Sequence, residues 1–131
     1  MAFINTVDVI GDEEFISLIL SRDITEMYDN YVTSIGSHAL SECKSLTIVD
    51  VPNCKRINTY AFYNSGLTTL VLRSDTLVTT TANAFDKTPI KTGTGYIYVP
   101  RALVDSYKTD TNWSTYANQI RAIEDYPEIC G

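Results

Sequence analysis

Chemistry is scarce in these 131 residues. Histidine and tryptophan occur once each, cysteine three times, proline four times and glycine six times. A Ser-His-Asp or Cys-His arrangement would have to use His38, which sits in a polar stretch between Gly36 and Ala39 and reads as an exposed, variable position. Cys43, Cys54 and Cys130 form an odd set without CxxC spacing, so neither a zinc site nor a disulfide framework is expected. The chain also lacks a phosphate-cradling glycine loop, an HExxH and a calcium-loop spacing; Gly93-Thr-Gly95 reads as a turn. Adjacent carboxylates such as Glu13 with Glu14, or Glu124 with Asp125, do not face each other on a helix or strand. These gaps argue against an enzyme, a metal centre and a bound cofactor. Ten basic residues against sixteen acidic ones give a formal charge of −6, which argues against a nucleic-acid footprint with its clustered Lys and Arg. The only acidic run of three, Asp12 to Glu14, reads as a solubility feature. No apolar run approaches 18 residues, so no membrane span is expected. The start, Met-Ala-Phe-Ile-Asn, lacks the basic and apolar regions of a signal peptide.

What is present is repetition. Ile35-Gly-Ser-His-Ala39-Leu40 leads into Leu46-Thr-Ile-Val49-Asp-Val51-Pro52. Ile57-Asn-Thr-Tyr-Ala61-Phe62 leads into Leu67-Thr-Thr-Leu70-Val-Leu72. A third copy keeps Ala84-Phe85 and ends in Ile97-Tyr-Val99-Pro100. The Ala-Leu/Phe pair recurs at spacings of 22 and 23 residues, a period that marks a solenoid whose units bury their apolar edges against one another. Within each unit the L-x-x-L-x-L spacing is a strand with alternate side chains inward. Ile24-Thr-Glu-Met27 through Ile35 aligns with Leu46 through Ile57 as the strand of an incomplete first unit. Strands are therefore expected near 24–28, 46–51, 67–72 and 96–99, parallel in one sheet. Cys43 occupies the place that Ser65 holds one unit later, a small buried position; buried free thiols fit a reducing compartment.

The flanks do not repeat. Residues 3–10 carry β-branched residues and suit a strand. After Gly11, Asp12 suits an N-cap, and Phe15, Ile16, Ile19 and Leu20 share one side of a short helix ending near Arg22. Lys91-Thr-Gly-Thr-Gly95 interrupts the third unit as a flexible loop. Pro100 suits a helix start, with Leu103, Val104 and Tyr107 at helical spacing. A second helical stretch carries Trp113, Tyr116, Ala117 and Ile120, and Trp113 is expected to close the last unit near Phe85, Leu103 and Tyr107. The acidic tail from Glu124 reads as loosely held. The organisation is therefore 1–23 as an N-terminal strand and helix cap, 24–100 as repeats, and 101–131 as a helical C-terminal cap and tail.

The Ile-Gly-x-x-Ala-Phe signature followed by Leu-Thr-x-Val-x-Val-Pro resembles BspA-type leucine-rich repeats over about residues 24–100. Leu40 replaces the usual Phe, Asn58 replaces the usual Gly, and the third unit lacks the Ile of Ile-Gly. The stretch from Gly93 to Ile120 looks like the end module of such repeats in phage and prophage structural proteins, and Asp8-Val-Ile-Gly-Asp-Glu-Glu14 is similar to short phage-encoded members. The resemblance implies an α/β repeat fold. It also implies a virion component of the tail, baseplate or head decoration, made in the bacterial cytoplasm, that contacts other virion proteins or copies of itself.

The surface remains as the carrier of function. Strand alternation places Glu26, Ile48, Thr69 and Tyr96 in one outward row and Tyr28, Asp50, Val71 and Tyr98 in another. Apolar and tyrosine residues at solvent-facing positions favour an interface. The candidate interaction residues are thus Tyr28, Ile48, Asp50, Thr69, Val71, Tyr96 and Tyr98 on the sheet, with Phe15, Ile16 and Ile19 on the N-terminal helix. The competing expectation is an adhesive module at a phage tip or bacterial surface that recognises a host receptor or glycan.

Overall fold

The computed structural model describes residues 2–3, 9–10 and 24–131. The expected N-terminal helix, with Phe15, Ile16 and Ile19, lies outside the described residues. Nine short strands are found among those described: β1 (Ala2–Phe3), β2 (Val9–Ile10), β3 (Glu26–Tyr28), β4 (Ser34–Ile35), β5 (Ile48–Asp50), β6 (Arg56–Ile57), β7 (Thr69–Val71), β8 (Tyr96–Val99) and β9 (Ile120–Ala122). Six of them form one sheet in the order β1-β3-β5-β7-β8-β9, and β2-β4-β6 form a second. Every pairing is parallel. The register follows the repeat: Glu26 faces Ile48, Ile48 faces Thr69, and Thr69 faces Tyr96. Arg56 of β6 is bridged in turn by Thr79, so the second sheet reaches the next unit.

The reason for this arrangement lies between the sheets. Leu46, Val49 and Val51 of one unit, and Leu67, Leu70 and Leu72 of the next, are completely buried. The pairs Ala39/Leu40, Ala61/Phe62 and Ala84/Phe85 close the core from the other side. Phe62 and Phe85 stack almost flat, with ring centroids 5.5 Å apart, so the repeated position packs unit against unit. Cys43 and Ser65 share a buried position, as their alignment predicts.

The segments that carry the Ala-Leu/Phe pairs are tight turns rather than helices. Their backbone donors reach the neighbouring unit: Leu40 N–H donates to the Ala61 carbonyl at 2.8 Å, Glu42 to Tyr63 at 2.8 Å, and Phe62 to Ala84 at 2.9 Å. Ladder bonds between units satisfy groups that a helix would satisfy internally, so none is needed there. The turns place His38 and Tyr60, and likewise Glu42, Asn64 and Lys87, at positive φ near 60°. Non-glycine residues tolerate that left-handed geometry only with support from their surroundings.

Beyond the last full unit the chain departs from expectation in three places. The stretch read as a flexible loop starts as α1 (Pro89–Thr92), capped by the Thr88 hydroxyl, which accepts from Lys91 N–H at 3.2 Å. Gly93 ends it at φ 101°. Gly95 is buried, and a Cβ there would lie 3.0 Å from the Thr68 carbonyl and 2.9 Å from Ile90. After the 3₁₀ turn Arg101–Leu103 and α2 (Val104–Thr109), the second helical stretch is a 3₁₀ turn, Ser114–Gln119, that hands over to β9. Ile120 therefore extends the sheet instead of ending a helix. Third, the tail is held: a 3₁₀ turn (Ile123–Asp125) and α3 (Pro127–Cys130) lay Ile123, Tyr126 and Cys130 across Val71 and Tyr98.

Trp113 meets two of the three residues expected around it, Phe85 and Tyr107. It is fully buried, 5.5 Å from Phe85 and 5.3 Å from Tyr107 by ring centroids. Its indole N–H donates to the Val78 carbonyl at 2.7 Å, while Val78 N–H donates to the Tyr107 hydroxyl at 2.8 Å. Both backbone polar groups of Val78 are thereby tied to the C-terminal segment.

Candidate functional site

The outer face of the six-stranded sheet carries the two rows expected from strand alternation, and the cross-strand register brings each row together. Glu26, Ile48, Thr69 and Tyr96 face one another in succession, as do Tyr28, Asp50, Val71, Tyr98 and Arg121. Their surroundings differ along the sheet. Tyr28 is 45% exposed and Tyr96 39%, with Ile48 and Thr69 half-buried between them.

Val71 and Tyr98 are not solvent-facing. They are 2% and 4% exposed because Ile123, Tyr126 and Cys130 cover them. The alternation rule gives the correct side of the sheet for both, but a segment more than twenty residues further along occupies that side. Asp50 is likewise engaged: Arg73 Nε donates to Oδ1 at 3.0 Å and Nη2 to Oδ2 at 2.8 Å. The same guanidinium donates to the Cys130 carbonyl, clamping the tail to the sheet. The Asp50 carboxylate raises the pKa of Arg73, and a bidentate pair of this kind fixes geometry as well as charge.

Three residues of this face went unread in the sequence. Tyr31 is 54% exposed just after the end of β3, and its backbone is set by Asp29, whose Oδ1 accepts from the N–H groups of Tyr31 and Val32. Arg121 and Tyr126 flank Tyr96 and Tyr98 in a pocket of about 200 Å³. The abundance of tyrosine, nine residues, was the available signal for Tyr31 and Tyr126. Burial raises the pKa of Tyr28 and Tyr98, with the neighbouring Glu26 and Asp50 adding to the effect at Tyr28 and Cys130 at Tyr98.

Elsewhere the described residues bring together no catalytic constellation. His38 is exposed and stacks on Tyr60 with centroids 5.2 Å apart. Among the described residues no group of three His, Cys, Asp or Glu is placed to hold a metal ion, and no helix is long and apolar enough to cross a membrane. Cys43, Cys54 and Cys130 are buried thiols, and burial pushes the Cys54 thiol up to about 11, far from the range of a reactive thiolate.

No curated protein and no solved structure matches the chain. The model of the BspA type leucine rich repeat region matches residues 1–98 in six copies, spanning the paired strands from β1 to β8, and the chain belongs to that family.

Proposed function

We propose that the protein is a non-catalytic module of a bacteriophage virion, working by protein–protein contact through the uncovered part of its sheet face. Leucine-rich repeats generally act as interaction modules, and that much follows from the family. The observation that carries the proposal further is the uncovered part of that face: Ile48, Thr69 and Tyr96 in one row, and Tyr28 at the start of the other. These side chains are held in register on a hydrogen-bonded sheet, with Tyr28 and Tyr96 exposed and Ile48 and Thr69 half-buried between their strands. Rigid tyrosines supply contact area with few torsions to freeze. The virion setting rests on the likeness of the Gly93–Ile120 module and the Asp8–Glu14 segment to phage and prophage proteins. In this reading the units stack as a short solenoid, residues 101–131 close its end as a cap, and other virion proteins or further copies of the chain cover the sheet. A stable contact needs about 800 Å² from each partner, within reach of a face several strands wide.

The test is complementation. Particles lacking the protein are mixed with a Tyr28→Glu, Ile48→Glu double variant, and incorporation is measured by mass spectrometry of purified particles. Loss of incorporation with an unchanged melting temperature is expected. Wild-type incorporation would remove the sheet face as the contact, and absence of the wild-type chain from particles would remove the virion assignment.

A further inference from the structure

We propose that the C-terminal end of the sheet face holds a binding site for one carboxylated sugar residue, formed by Arg121, Tyr96, Tyr98 and Tyr126. The proposal stands on this cluster and does not depend on the protein contact proposed above.

The first observation is an arginine without a carboxylate. The acids nearest to it in sequence are turned away: Asp125 pairs with the Arg101 guanidinium, and Glu124 accepts from Arg101 N–H at 3.0 Å. Among the described residues no Asp or Glu forms an ion pair with Arg121, in a chain that carries sixteen acidic residues. The second observation is that this arginine is positioned. Its Nη1 donates to the Asn118 carbonyl at 2.8 Å and to Ile120 at 3.2 Å, and the guanidinium lies 4.9 Å from the centre of the Tyr96 ring. Two donors are consumed by those carbonyls, and among the described residues Nε and Nη2 have no acceptor. That is the edge of the fork that takes a carboxylate through two parallel hydrogen bonds.

The third observation is the enclosure. Tyr126 meets Tyr98 edge to face at 5.3 Å, and with Tyr96 they wall a pocket of about 200 Å³ around the guanidinium. Drug-sized and cofactor sites run to about 300–1,000 Å³, so this one admits a single ring. Tyr96 and Tyr126, which are not buried, offer apolar ring surface to the C–H side of a pyranose and phenolic hydroxyls to its oxygens, while Tyr98 forms the floor beneath Tyr126. Among the described residues no second cation lines the pocket. A phosphate, carrying about 1.5 to 2 charges, would be under-neutralised there, whereas a carboxylate is matched. The net charge of −6 further disfavours a polyanion and leaves a singly charged residue within a glycan.

The experiment uses the full chain and defined probes. D-galacturonic acid and N-acetylneuraminic acid are titrated by ligand-observed NMR, each beside its methyl ester, together with an acetylated aspartyl-glycine peptide. Each acid is expected to bind about tenfold or more tightly than its ester. Arg121→Gln should abolish that difference, and Arg121→Lys should restore only part of it because lysine lacks the fork. The acid–ester comparison is made on the unmodified protein, so it holds even if a variant fails to fold. Equal binding of acid and ester, no binding of either acid, or unchanged acid binding by a folded Arg121→Gln would overturn the site. Tighter binding of the peptide than of both sugar acids would overturn the sugar assignment in favour of a protein carboxylate.

Discussion

At the scale of single residues, the leucine positions bear the stability and one glycine bears the spacing. Leu70 is completely buried between two sheets, and truncating it removes transfer free energy and leaves a cavity. Leu70→Ala is expected to cost about 2–5 kcal/mol in denaturant unfolding, set against an exposed control such as Lys55→Ala. Equal midpoints for the two variants would show that the repeat register is wrong. Gly66 answers to a different constraint, since a Cβ there would lie 2.3 Å from the Lys44 carbonyl oxygen of the preceding unit. Backbone cannot yield as a flexible side chain does, so Gly66→Ala is expected to destabilise by at least about 1–3 kcal/mol, the range for overpacking. A Gly66→Ala protein melting with the wild type would mean that neighbouring units can slide apart locally.

At the scale of elements, what could be read from the sequence was what repeats. β3, β5, β7 and β8 all lie within their expected spans because Leu, Val and Ile alternate there and recur at a fixed period. The place of Trp113 was also readable, since a large apolar ring among Thr, Asp and Asn needs a buried partner. β9 was not readable: Ile120-Arg-Ala122 is three residues long and continues a helical-looking spacing, and only the open edge of β8 makes it a strand. The burial of Val71 and Tyr98 had no local signal either, because it depends on a segment distant in sequence. Non-glycine residues at positive φ were hidden for a related reason, their support coming from the next unit rather than from their own neighbours. The held tail gives a test. Arg73→Ala removes the link between Asp50 and the Cys130 carbonyl, and should lower stability by roughly 1–2 kcal/mol, discounted for partial exposure. Amides of Ile129 and Cys130, which donate to the Tyr126 carbonyl, should exchange faster in that variant. Wild-type exchange rates would show that Ile123, Tyr126 and Cys130 hold the tail by apolar contact alone.

At the scale of the whole molecule, three buried acids set the alkaline limit. Burial raises the Cys54 pKa from 9.0 to about 11, and those of Tyr107 and Tyr116 from 10.0 to about 12. In each case the folded chain keeps a proton that the unfolded chain releases. The stabilisation from these groups is full below about pH 9 and is lost as pH rises through about 11 to 12. Unfolding midpoints should fall steeply across that window, and tyrosinate absorbance should lag behind that of free tyrosine until the chain opens. Midpoints that stay level to pH 12 would place these side chains in water. The single tryptophan has a further consequence for how the molecule can be watched. Trp113 contacts the last unit, through Phe85 and Val78, whereas β1 and β3 lie at the opposite end of the sheet order. Its emission is thus a clock for one terminus only. Fraying that begins at the Ala2–Phe3 edge would be dark in fluorescence while already visible in circular dichroism, and the lag between the two signals would give the direction in which the stack comes apart.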